Sequence, residues 1–383
     1  MADALALYVH WPFCLAKCPY CDFNSHVRNT IPQARFRDAL RRELAWEAAR
    51  LAPRPLGSVF FGGGTPSLMA PETVSFLIED ATRLFQPVDN IEITLEANPT
   101  SVEAGRLRAF RDAGVNRISL GVQSLEPEAL AMLGREHSAA QAIAALEIGR
   151  RLFPRISFDL IYARPGQTLP AWRRELRQAL DLAADHLSLY QLTIEPGTAF
   201  EARHRRGDFS LPDEETATAM YEATAEEAAR VGLLPYEISN YAVLGAESRH
   251  NLAYWRYSDY AGIGPGAHGR VTSGEKILAT RRHRVPEIWA GRVEADGHGT
   301  TREDPVEPRE RAREMLLMGL RLNEGIDAAR FQARTGIVLD DAIDPDILAR
   351  AIEAGYAVRT QSRLIATAEG RLRLDALLGE LVL

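Results

Sequence analysis

Residues 5–23 read LALYVHWPFCLAKCPYCDF, and the folding of that stretch decides the rest. Leu5–His10 is an apolar run of strand length, followed closely by Cys14, Cys18 and Cys21. A reactive loop at the end of a buried strand is the arrangement found at the functional edge of α/β folds. The unit then recurs. Further strands are predicted at Ser58–Gly62, Ile91–Ala97, Arg117–Gln123, Ile156–Tyr162 and His186–Thr193, with helices between them near 33–51, 71–84, 101–113, 138–151 and 170–184. Asn98-Pro99, Ala113-Gly114 and Arg164-Pro165-Gly166 mark the breaks. Consecutive strand–helix units predict a parallel sheet with helices outside it. A full eight-fold barrel needs two more units than the six found here. The pattern fades after about residue 195, so the expected class is α/β, a partial (β/α)6 TIM-type barrel. A doubly wound open sheet is the alternative.

Polar motifs follow the first three strands: the cysteines, then Gly62-Gly63-Gly64-Thr65-Pro66, then Glu96-Ala97-Asn98-Pro99. Toward the C-terminus a polar stretch near 293–308 reads as a linker. Beyond it Arg311–Arg321 and Ala328–Thr335 read as helices, Tyr356–Thr360 and Leu364–Thr367 as a hairpin, and the remainder as a last helix. The expected division is a barrel over 1–240, a connecting segment over 241–300, and a small winged-helix-like domain over 301–383. Winged helices often bind DNA, but residues 305–383 carry 11 arginines against 13 carboxylates, which argues against nucleic acid. A docking or lid domain is expected instead. The net charge of −7 over 383 residues points the same way. No run of about 18 apolar residues predicts a transmembrane helix. The N-terminus lacks the basic region and cleavage site of a secretory signal, so the expected location is the cytoplasm.

All three cysteines fall within residues 14–21, an odd and clustered set that excludes a disulfide framework. Three thiolates on one short loop suit an iron–sulfur cluster. Zinc also takes thiolates, with His10 or His26 as a possible fourth ligand, but its usual two separated pairs are missing. A three-thiolate loop leaves one iron of a [4Fe–4S] cubane without a protein ligand. Glu96 at a strand exit can accept hydrogen bonds from a ribose diol. Asp159 is an acid inside an apolar run, which is rare without a partner.

CxxxCxxC with an aromatic before the last cysteine, Tyr20, resembles the signature of the radical S-adenosylmethionine superfamily. The resemblance implies that the free iron chelates S-adenosylmethionine, whose reductive cleavage yields methionine and a 5′-deoxyadenosyl radical. The glycine turn at 62–64 resembles the motif that meets the methionine amino group. The likeness then narrows. YVHWPFCLAKCPYCDFNSH, FFGGGTPSL, EANP, GVQS, GREH, FDLIY and PGQ together resemble the oxygen-independent coproporphyrinogen III dehydrogenase family. That family implies up to two S-adenosylmethionine molecules. Tyr8, Tyr20, Gly63 and Glu96 would contact the first, and Gly64, Thr65, Gln123, Arg135 and Asp159 the second. Arg164 departs from the family's YGLP and adds a charge near the site.

Two features point to the haem-chaperone branch of that family: the short segment before Tyr8, and Phe23 where the dehydrogenases carry a fourth cysteine. The branch motif HNxxYW is present as His250-Asn251-Leu252-Ala253-Tyr254-Trp255. The resemblance implies that His250, Tyr254 and Trp255 contact haem, with His268 a second candidate ligand. An acceptor protein and an electron donor are the implied partners. Oxidative decarboxylation of coproporphyrinogen III remains the catalytic alternative.

Overall fold

The protein is described by a computed structural model covering residues 4–51 and 53–383. Its strands are β1 (Leu5–Trp11), β2 (Phe13–Cys14), β3 (His26–Val27), β4 (Pro55–Gly63), β5 (Gln86–Ala97), β6 (Arg117–Gln123), β7 (Arg155–Tyr162) and β8 (His186–Gln191). They continue as β9 (Leu234–Pro235), β10 (Asn240–Ala242), β11 (Tyr260–Ile263), β12 (His268–Ser273), β13 (Lys276–Arg282) and β14 (Thr300–Pro305). Twelve of these form one sheet in the order β14-β13-β12-β11-β1-β4-β5-β6-β7-β8-β10-β9. β1 and β4 to β8 run parallel in sequence order, so the six-unit partial barrel is present. The sheet stays open between β14 and β9. β11 adds a further parallel strand on the other side of β1, which the sequence pattern did not suggest.

The central strands are covered on both faces, which is why they read as unbroken apolar runs rather than alternating ones. The helices between them present apolar stripes. In Pro71–Leu84, for example, Val74, Leu77, Ile78 and Ala81 are buried at helical spacing. Beneath the cysteine loop, Trp11, Phe13, Phe36 and Trp289 form an aromatic cluster, with Phe13 and Phe36 edge to face at 4.8 Å between centroids. All four are fully buried, and removing one such ring costs roughly 3–5 kcal/mol. The loop therefore starts from a rigid base.

The stretch expected as a linker, 293–308, is not one. It ends the helix Pro286–Asp296, turns at Gly297 with a φ of 84°, and forms the edge strand β14. Its polarity reflects an exposed edge rather than disorder. The C-terminal layer contains helices Pro308–Gly319, Ala328–Thr335 and Pro345–Glu353 beside a small sheet of β15 (Ile326–Asp327), β16 (Ala357–Arg359) and β17 (Arg363–Ala366). It has its own apolar core around Leu316, Phe331 and Leu364, joined to the barrel side through Tyr257 and Ile277. Buried Asp259 ties the layers, pairing with Arg54 at 2.7 Å and Arg334 at 2.8 Å.

Candidate cluster and cofactor site

The cysteines stand at the C-terminal edge of the parallel strands. Cys14 ends β2, which pairs with β3, and Arg28 N–H donates to the Cys14 carbonyl at 3.1 Å. The loop between them is thereby closed at both ends. Gly64 N–H donates to the Trp11 carbonyl and Thr65 N–H to the Phe13 carbonyl, so the glycine turn after β4 lies directly against the loop. A Cβ on Gly64 would sit 2.7 Å from the Phe13 carbonyl oxygen and 3.0 Å from Cys14 Sγ. Only glycine fits there.

A polar chain links two of the cysteines. Thr65 Oγ1 donates to Cys14 Sγ at 3.4 Å, Asn98 Nδ2 donates to Thr65 Oγ1 at 3.3 Å, and Arg135 Nη2 donates to Asn98 Oδ1 at 2.6 Å. Arg135 Nη1 then donates to Cys18 Sγ at 3.2 Å. Asn98 carries the middle of this chain, and sequence reasoning did not single it out. Its place between Pro99 and the third strand's exit was the available signal.

Eight of the nine residues expected around S-adenosylmethionine line the cysteine cavity: Tyr20, Gly63, Gly64, Thr65, Glu96, Gln123, Arg135 and Asp159. Tyr8 faces a neighbouring cavity instead. Gln123 has a left-handed φ of 69° at an irregularity in the β6–β7 pairing, a backbone strain that occurs where a side chain is re-aimed. Burial pushes Glu96 up to about 8, helped by the nearby Asp159 and opposed by the Gly63 amide. Burial likewise raises Asp159 to about 6, against hydrogen bonds from Ser188 and Ser119. Burial also raises the Cys14 and Cys21 thiols, so binding a cluster to them must release protons.

Arg164 does not add its charge to this cavity. It is buried, donates to Ser124 Oγ, and pairs with Glu175, so the charge is neutralised inside the core. The substitution in the family pattern is thus matched by an acid on the following helix.

A second cavity of about 400 Å³ lies alongside, and Phe23, Gly63 and Glu96 line both. Tyr8, His10, Tyr254, Tyr260 and His268 form its other walls, with Arg281 and Arg284 at its side. His10 Nε2 donates to the Asn24 carbonyl at 2.9 Å, so its Nδ1 accepts from the Tyr8 hydroxyl at 3.0 Å. The HNLAYW residues do not converge on this cavity. Tyr254 reaches it. His250 is 2% exposed, shares a hydrogen bond between Nδ1 and Ser58 Oγ at 3.0 Å, and stacks on Phe60. Trp255 lies under Arg321, beside a different cleft toward the C-terminal layer.

Residues 8–179 match the radical SAM superfamily and residues 306–373 match the HemN C-terminal domain. The chain is 37% identical to the haem chaperone HemW of Haemophilus influenzae over 98% of its own length and 97% of that protein's. It is 38% identical to HemW of Escherichia coli over 98% and 97%. It is also 43% identical to the mitochondrial radical S-adenosyl methionine domain-containing protein 1 of Bos taurus, over 85% of this chain and 75% of that one. The chain belongs to the HemW family of radical SAM proteins. The coproporphyrinogen III oxidase HemN of Escherichia coli shares its fold, with a TM-score of 0.82 over 99% of this chain and 90% of that one at 23% identity.

Membership of the superfamily implies a [4Fe–4S] cluster and S-adenosylmethionine, and the HemW-family residues fit both. Cys14, Cys18 and Cys21 border one cavity, and three thiolates on one short loop suit a cubane cluster. Cys14, Cys18 and Cys21 would hold the cluster. The glycine turn and Glu96 offer backbone amides and a carboxylate beside the open side. No helix among the described residues is long and apolar enough to cross a membrane.

Proposed function

We propose that this protein is a haem chaperone, which binds haem and passes it to an acceptor protein while carrying a [4Fe–4S] cluster and S-adenosylmethionine. The observation that carries the reading is the open, aromatic-walled cavity pressed against the cysteine cavity, in a chain alike end to end to proteins named haem chaperones. Phe23 supports it, because an exposed apolar ring stands where the dehydrogenase branch has a cysteine.

The cluster, when bound and reduced, supplies an electron for cleavage of the sulfonium. The chain's own residues position and shield. Arg135 holds Cys18 through a charge-assisted hydrogen bond, Thr65 holds Cys14, and the glycine turn lets backbone amides approach a carboxylate. Glu96 is placed to accept from a ribose diol, with Gln123 and Asp159 deeper in the same cavity. A second S-adenosylmethionine at Gly64, Thr65, Gln123, Arg135 and Asp159 is part of the same reading. His250, Tyr254 and Trp255 mark the segment that the family motif associates with haem. The reading places the protein in the cytoplasm, where thiols stay reduced.

The test uses anaerobically reconstituted protein with S-adenosylmethionine, a reductant and coproporphyrinogen III, followed for 5′-deoxyadenosine and protoporphyrinogen. A parallel sample is titrated with haem. Stoichiometric haem binding without protoporphyrinogen supports the chaperone. Protoporphyrinogen formation would make the protein a dehydrogenase and overturn it.

A further inference from the structure

The second cavity is lined by three basic groups without an ion-pair or hydrogen-bond partner among the described residues. β12 and β13 pair antiparallel with His268 directly opposite Arg281, and both side chains are exposed at the cavity. Arg284 follows shortly after the end of β13 and lines the same space. Arg282, between them, is by contrast buried and matched to Glu43 and Glu47. Among the described residues Arg281 and Arg284 form no ion pair and donate no side-chain hydrogen bond, and the ring nitrogens of His268 have no hydrogen-bond partner. Two unmatched guanidinium groups beside a cavity are a site for carboxylates.

The remaining walls select a flat apolar body. The Tyr254 and Tyr260 rings lie 4.2 Å apart between centroids, and Phe23, two residues past the last cysteine, is 60% exposed. Of the two histidines that line the cavity, His10 has both nitrogens engaged and His268 has neither. His250 does not line it, and its unpartnered Nε2 is buried in a pocket formed with Phe60 and Tyr254. Partial burial, with Arg281 and Arg270 nearby, keeps His268 below the usual histidine value and therefore neutral, the ligating form.

We infer that haem sits in this cavity with His268 as its axial ligand and its two propionates on Arg281 and Arg284, while His250 has a packing role. This assignment rests on the chaperone reading and locates its cargo. The open mouth leaves one edge of the macrocycle accessible, which release to an acceptor requires.

The test is an anaerobic haem titration of the cluster-loaded full chain and of three variants, His268→Gly, Arg281→Gln/Arg284→Gln and His250→Phe. Cluster absorption and iron content check that each variant is intact. His268→Gly is expected to shift the Soret band, with added imidazole restoring the original spectrum. The double arginine variant is expected to bind haem about tenfold or more weakly while binding haem dimethyl ester, which lacks the carboxylates, as the unmodified protein does. His250→Phe, which keeps the stacking on Phe60, is expected to retain the original Soret band. An unchanged spectrum for His268→Gly, or undiminished haem affinity in the arginine variant, overturns the assignment and leaves the chaperone reading standing. Failure of the unmodified protein to bind haem at all overturns both.

Discussion

Asn24, three residues past the last cysteine, donates from Nδ2 to the Pro265 carbonyl at 2.9 Å, across 241 positions of sequence. The same Nδ2 donates to the Arg284 carbonyl at 2.9 Å, and the Asn24 carbonyl accepts from His10. A Cβ on Gly266 would fall 2.5 Å from this amide, so the β11–β12 corner and the end of the cysteine loop are fitted to each other. One side chain thus clips the cluster loop to the rim of the neighbouring cavity.

Asn24→Ala removes both donated bonds and leaves two carbonyls unmatched at a partly buried corner. The expected loss is about 1–3 kcal/mol, read as a lowered denaturant midpoint with unchanged slope. Reconstituted protein should also hold less iron per chain than the parent. Full iron content with parental stability would show that the clip does not organise the loop.

Arg135 places a positive charge and a hydrogen bond on the Cys18 sulfur. Both stabilise the more negative, reduced state of a cluster held there. Arg135→Met is expected to lower the midpoint potential by about 60 mV, which is one tenfold step for a one-electron couple. A spectroelectrochemical titration of the reconstituted protein measures this. An unmoved potential would assign Arg135 a purely packing role through Asn98 and Gly121.

Glu96 is mostly protonated at neutral pH in the empty cavity, because its value lies near 8. A ligand carrying a sulfonium charge and a donating diol is held best by the ionised form. Affinity for S-adenosylmethionine should therefore rise about tenfold between pH 7 and pH 9 and then level off. The ligand's own amino group also titrates, so the control is Glu96→Gln, in which the Glu96-dependent part of the rise disappears. The stability sign is opposite. The folded state holds this proton more tightly than the unfolded chain, so the empty protein is favoured below 4.5 and loses that contribution as pH climbs through 8.

The barrel was legible because parallel strands covered on both faces give continuous apolar runs, and because turns such as Ala113-Gly114 punctuate them; β6 matches its expected bounds of Arg117–Gln123. The cysteine cavity was legible because its residues sit at successive strand ends. Three things were not. β11 lies beside β1 although some 250 residues separate them, and no local pattern reports such a pairing. In the HNLAYW segment, a short motif concealed a divergence of faces. His250 and Tyr254 are four apart on the helix Arg249–Trp255 and share a face, with ring centroids 5.0 Å apart. Trp255 is rotated roughly 100° from Tyr254 and points elsewhere. That separation follows from the helical period only once the segment is known to be a helix. The acid that neutralises Arg164 is 11 residues further on, and nothing in the sequence marks Glu175 as its partner.

Phe23, Gly63 and Glu96 form a party wall between the two cavities. Occupancy on one side that fixes the charge of Glu96 or the rotamer of Phe23 changes the free energy of binding on the other. Linkage then requires symmetry: whatever factor S-adenosylmethionine imposes on cargo affinity, cargo imposes on S-adenosylmethionine. On the proposed chaperone reading, a carrier built this way would need no hinge to couple cofactor state to release, because consumption of one ligand would itself be felt as a change in the hold on the other.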